Sequence, residues 1–124
     1  MNLIIVGMGG ALGAMLRHLS GVAALRIMGA GFPWGTLFVN VVGSFLMGLA
    51  AVLILGRFGH SPHAAGLVMT GFLGGFTTFS AFSLDVFRLL ETGRAGAAAL
   101  YVGGSVALSI GALFIGFMIA RGLE

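Results

Sequence analysis

Charge is missing from long stretches of this 124-residue chain, and that constrains its fold more than any motif does. Residues 27–56, 58–84 and 95–120 contain no Asp, Glu, Lys or Arg. Each stretch is long enough for an α-helix to cross about 30 Å of hydrocarbon, which takes about 20 residues. Residues 1–16 are also uncharged, and this shorter run continues through Arg17 to Leu25. Charged residues make up 7% of the chain and apolar ones 59%, whereas soluble domains carry about a quarter charged. So few ionic groups cannot coat a globule, and the outer surface has to face lipid.

The same scarcity excludes several functions. With no cysteine there is no disulfide, zinc knuckle or thiol nucleophile. The net charge of +3 comes from six arginines against Asp85, Glu91 and Glu124. No basic run exists to track a phosphate backbone, so a nucleic-acid partner is not expected. His60 and His63 share a loop with Pro62 and have no third ligand nearby, which argues against a metal site there. No nucleophile, base and orienting group assemble around Asp85, so the chain does not read as an enzyme. A cleaved signal peptide is the lesser reading of the N-terminus, because no basic segment precedes its apolar run.

The spacing predicts one membrane domain over 1–124, all-α, with helices over about 2–25, 33–56, 64–90 and 96–121. Pro33 is expected in the first turn of helix 2, with Trp34 at the headgroup interface. The connections are short, with Arg57 to His63 as the second loop. The small-residue sets Gly9/Gly13, Gly71/Gly75 and Gly103/Ala107/Gly111 are spaced by four and predict close helix packing. Arg57 and Arg121 would lie on one side, with Arg26, Arg88 and Arg94 on the other, joined by Arg17 if it snorkels that way. That near balance under the positive-inside rule fits insertion in both orientations and an antiparallel homodimer.

Polar residues inside the spans carry the functional signal. Helix 2 has Thr36, Asn40 and Ser44 on one face, and helix 4 has Tyr101, Ser105 and Ser109. Single hydroxyls usually bond back to their own helix, but two aligned stripes point to a shared polar track. In helix 3, Gly74-Gly75 precedes Thr77-Thr78 at mid-span, a sequence expected to break the helix. Carbonyls freed there must be buried in protein or bind an ion. Phe79 and Phe82 follow, with Ser80 and Ser83 interleaved, and their positive ring edges suit an anion. Arg17 either snorkels to the interface or takes a structural or vestibule role.

Three segments resemble the CrcB/Fluc family of fluoride channels: Gly9 to Arg17 (GGALGAMLR), Gly35 to Phe45 (GTLFVNVVGSF) and Gly74 to Ser83 (GGFTTFSAFS). The resemblance covers the whole chain. It implies an antiparallel, dual-topology homodimer in the bacterial inner membrane, with two fluoride pores and one structural sodium ion that is not transported. Main-chain carbonyls at the helix 3 break would hold the sodium, at Gly74 and Thr77. Phe79 and Phe82 would line the fluoride path with Asn40 as a key donor; Ser80, Ser83, Thr36, Tyr101 and Ser105 or Ser109 are further candidates. Arg17 matches the arginine of the opening motif. The chain departs from the family pattern at Ala81, usually Thr, and at Asp85, usually Glu.

Fluoride is small and strongly hydrated, so a pore has to replace its water with donors while binding it weakly enough to release. Neutral amide, hydroxyl and ring-edge donors meet that demand, and passive flux would let cells shed fluoride that entered as the neutral acid. A small dual-topology, proton-coupled multidrug exporter is the alternative. It needs a carboxylate within helix 1, and residues 1–25 contain none.

Overall fold

The computed structural model describes residues 2–57 and 61–123. Among them, four helices are long and apolar enough to cross a membrane: Leu3–Met28, Trp34–Gly56, Pro62–Glu91 and Ala95–Gly122. The first is α1 (Leu3–Met28). The Asn2 carboxamide oxygen caps it by accepting from the Ile4 amide at 2.8 Å. Gly29, at φ +80°, ends it three residues beyond the predicted limit.

Helix α2 (Trp34–Val52) continues through wider π-helical turns at Leu53–Arg57. Pro33 immediately precedes it and does not join its first turn, because its ψ of 65° is not helical. The third span opens earlier than predicted: Ser61 caps the chain and Pro62 takes the first helical position, which needs no amide donor. His60, half of the histidine pair considered above, lies outside the described residues. We label residues 62–76 α3, comprising Pro62–Ala64, the π-helical Ala65–Leu73 and Gly74–Phe76. Thr77 and Thr78 are then extended, with ψ of 159° and 125°. Helix α4 (Phe79–Glu91) starts on the Thr78 hydroxyl, which accepts from the Ala81 amide at 3.2 Å. Gly93, at φ +79°, turns the chain into α5 (Ala95–Gly122).

Helix α1 packs along α3, and α2 along α5. Glycine makes both seams possible. A Cβ on Gly13 would lie 2.7 Å from the Phe76 nitrogen, and one on Gly71 would lie 2.7 Å from the Val6 oxygen. At the other seam, a Cβ on Gly48 would approach the Phe117 nitrogen to 2.8 Å. The predicted sets Gly9/Gly13 and Gly71/Gly75 thus face each other, backbone to backbone. The third set packs on none of the described residues: Cβ atoms on Gly103 and Gly111 would meet nothing within 4 Å. Spacing identifies a smooth face but not what covers it. Large apolar side chains such as Leu100, Phe114 and Met118 remain exposed, as a lipid-facing surface requires.

Candidate functional site

The extended Thr77-Thr78 dipeptide organises the site. A backbone that leaves helical geometry at membrane depth needs substitute partners for its amides and carbonyls. Asn40 of α2 supplies two of them. Its carboxamide oxygen accepts from the Thr78 amide at 2.8 Å, and its Nδ2 donates to the Thr78 carbonyl at 3.0 Å. One carboxamide thereby stands in for a neighbouring strand, and one Nδ2 hydrogen remains for a further acceptor. Gly43, one turn on, lets α2 come this close, since a Cβ there would run into the Thr77 methyl and lie 3.4 Å from the Phe76 ring.

Arg17 of α1 holds the other side, its Nε donating to the Gly75 carbonyl at 3.0 Å. The side chain thus reaches across to α3. The Thr77 hydroxyl donates back to the Leu73 carbonyl at 2.9 Å. Among the described residues, no hydrogen bond falls on the carbonyl oxygens of Gly74 and Thr77.

Two cavities share Thr78. The larger, about 750 Å³, is lined by Arg17, Thr36, Ala81 and Asp85 among others. The smaller, about 340 Å³, lies between α2, α4 and α5 and is lined by Asn40, Phe79, Phe82, Ser105 and Ser109. No charged side chain among the described residues lines the smaller one. Of the predicted stripes, Asn40 and Ser44 of helix 2 and Ser105 and Ser109 of helix 4 meet there, whereas Thr36 lines the larger cavity and Tyr101 lines neither.

The serines differ sharply. Ser105 is 6% exposed, and its hydroxyl has no hydrogen-bond partner among the described residues. An orphaned buried hydroxyl is costly, and here it belongs to a cavity wall. Ser83 is exposed and donates to the Phe79 carbonyl at 3.0 Å. Ser80 is also exposed, 3.2 Å from the Thr78 hydroxyl. Neither lines the smaller cavity.

The phenylalanine rings lie 5.6 Å apart, tilted by 46°. Phe82 is 9% exposed whereas Phe79 is 78% exposed, so half of the pair lies on the surface of the single chain. Phe82 continues to Tyr101, 5.0 Å away, whose hydroxyl donates to Asp85 at 3.0 Å.

Residues 4–117 match the family described as CrcB-like protein, Camphor Resistance (CrcB). The chain belongs to the CrcB family. Among its relatives, a Rhizobium etli protein named fluoride-specific ion channel FluC is 52% identical over 120 residues, covering 97% of this chain and 96% of that protein. One from Cereibacter sphaeroides with the same name is 54% identical over 121 residues, covering 98% and 95%. A third, from Rhizobium meliloti, is 49% identical over 122 residues, covering 98% of each. With four spans and this kinship, the CrcB-family chain is a multi-pass membrane protein.

Sequence reasoning missed Thr78, which joins both cavities, and the link from Asp85 to Tyr101. A signal existed for the first, since a mid-span Asn requires a polar partner and Thr78 sits in the segment least able to remain helical. The second had only a weak one, the lone tyrosine and the one carboxylate near a span.

Proposed function

We propose that this chain is the subunit of a fluoride-selective, passive channel that lets fluoride leave the cell across the bacterial inner membrane. One observation carries the reading: a membrane cavity lined by neutral donors, in which the Ser105 hydroxyl is buried and unpartnered. The names borne by the relatives point to the same ion.

Fluoride loses its hydration shell on entering, and the remaining Asn40 N–H, the Ser105 and Ser109 hydroxyls and the ring edges of Phe79 and Phe82 replace it. None of these groups is a cation, so the ion is held by several weak partners and released. Arg17 and Thr36 stand at the wider cavity, where a fixed positive charge gathers anions before the narrow part. Ser80 and Ser83, on the exposed face of α4, are weaker participants.

The carbonyls of Gly74 and Thr77, without hydrogen bonds, are the hard oxygen donors a structural sodium ion needs. Bound there, sodium supplies a positive potential that favours an anion nearby without touching it. The interrupted third helix thus serves two ends, freeing carbonyls for the cation and presenting Thr78 to Asn40.

The working unit in this reading is an antiparallel homodimer in dual topology. The exposure of Phe79 supports it, because a ring offered to fluoride needs a second wall. So does the arginine count, with Arg57 and Arg121 on one side and Arg26, Arg88 and Arg94 on the other. Arg17, tied to Gly75, drops out of that balance.

Liposomes loaded with fluoride or chloride and reconstituted with the protein test the function. Fluoride release with chloride retained is expected; equal release of both, or of neither from intact protein, refutes it.

A further inference from the structure

The connection between α1 and α2 does more than turn the chain. Membrane-helix loops need only residues that tolerate tight backbone angles, yet this one directs an aromatic ring inward. Phe32 meets Tyr101 edge-on, with ring centroids 5.3 Å apart at 85°. It packs against the buried cluster of Phe82, Leu89, Ala98 and Tyr101. The next residue but one, Trp34, stands 4.7 Å from it. The loop is also tied from the opposite direction, since the Arg94 guanidinium donates to the Gly31 carbonyl. Arg94 immediately precedes α5, the helix that bears Tyr101. A cation at a loop would ordinarily direct its donors to water; here one goes to the residue beside Phe32.

Tyr101 is 1% exposed and confined on three sides. Phe32 bounds its ring at one face of the contact, Phe82 lies 5.0 Å away, and Asp85 receives its hydroxyl at 3.0 Å. Phe82 in turn lines the smaller cavity, which Tyr101 does not. We infer that the loop is a latch that sets the orientation of Tyr101 and, through it, of the Phe82 ring. Phe32 is the positioning residue and Arg94 the clasp.

The chain has one tyrosine, so 3-fluorotyrosine incorporation gives a ¹⁹F NMR signal from Tyr101 alone. Phe32→Leu is expected to move and narrow that signal as the ring gains freedom, and to lower fluoride efflux about two- to tenfold, the range that corresponds to one lost edge-to-face pair. Arg94→Gln, which leaves every ring in place, is expected to move both readouts in the same direction by less. Unchanged efflux in Phe32→Leu overturns the latch, and so does reduced efflux with an unmoved ¹⁹F signal, which would make Phe32 merely structural. Should Phe32→Leu not assemble, Arg94→Gln decides by the same two readouts. The efflux arm rests on the channel reading; the ¹⁹F arm does not, so a wild type that fails to conduct would leave the latch testable.

Discussion

Two regions of this molecule are built from small and polar residues, and they use them in opposite ways. Along the α1–α3 seam, glycine brings backbones together until no side chain fits, as at Gly13 against Phe76 and Gly71 against Val6. Around Thr78, a cavity of about 340 Å³ opens between α2, α4 and α5. The first region satisfies its packing; the second leaves the Ser105 hydroxyl without a partner. The proposed fluoride path lies in the second region, where the protein stops short of filling the space between its helices. A membrane bundle gains little from hydrophobic exclusion between its helices, so the tight seam has to hold the loose region open.

That contrast can be broken from either side. The largest effect is expected from Phe82→Ile, which keeps an apolar filling but removes the ring edge. Fluoride efflux should fall to that of empty liposomes while size-exclusion chromatography shows the assembly unchanged; Phe79→Ile should behave alike, and full conduction by both would remove the ring-edge role. Next comes Gly13→Ala, whose Cβ meets backbone that cannot move aside. Overpacking of this kind costs about 1–3 kcal/mol, so thermal unfolding in detergent should shift well below the wild type. Gly7→Ala in the same helix is the counterpart: its Cβ meets nothing within 4 Å. It should unfold no earlier than wild type, and helix propensity favours it by about 1 kcal/mol.

Asn40→Asp has an intermediate expected effect. The shape is kept, but the donor to the Thr78 carbonyl becomes an acceptor. Losing a buried partner costs about 1–3 kcal/mol, and the added negative charge opposes the anion, so efflux and unfolding temperature should both fall. An Asn40→Asp protein that conducts normally would show that the Thr78 clamp and the ion path are separate.

Much of this architecture is legible in the amino-acid sequence, and the limits have physical causes. Uncharged stretches of 26 or more residues mark the later spans, because hydrocarbon tolerates almost no charge. Gly9/Gly13 and Gly71/Gly75 are recognisable as packing faces, but Gly103/Ala107/Gly111 has the same spacing, and Cβ atoms on its glycines would meet nothing among the described residues. Spacing describes one surface and is silent about its partner. The Gly74-Gly75 and Thr77-Thr78 run suggests that the third helix yields there without saying at which pair; Gly74–Phe76 is helical and the extended pair is Thr77-Thr78. The reason lies 38 residues away in sequence, where Asn40 replaces the lost backbone bonds at Thr78 and nowhere else. Likewise the sequence does not show that Arg17 reaches the Gly75 carbonyl, 58 residues on. Periodicity does not choose between Ser105 and Ser109; burial separates them, since only the first is buried with no hydrogen-bond partner among the described residues.

The smallest change tests the central claim most directly. Ser105→Ala and Ser83→Ala each remove one hydroxyl, the first from the cavity wall and the second from an exposed face where it is already bonded to Phe79. Fluoride efflux would be measured for both at equal amounts of intact reconstituted protein. Ser105→Ala is expected to conduct about tenfold more slowly, the loss of roughly one hydrogen bond to an anion, without losing stability, while Ser83→Ala loses far less. Wild-type efflux from Ser105→Ala, or an equal loss in both, would contradict the assignment of the smaller cavity as the fluoride path.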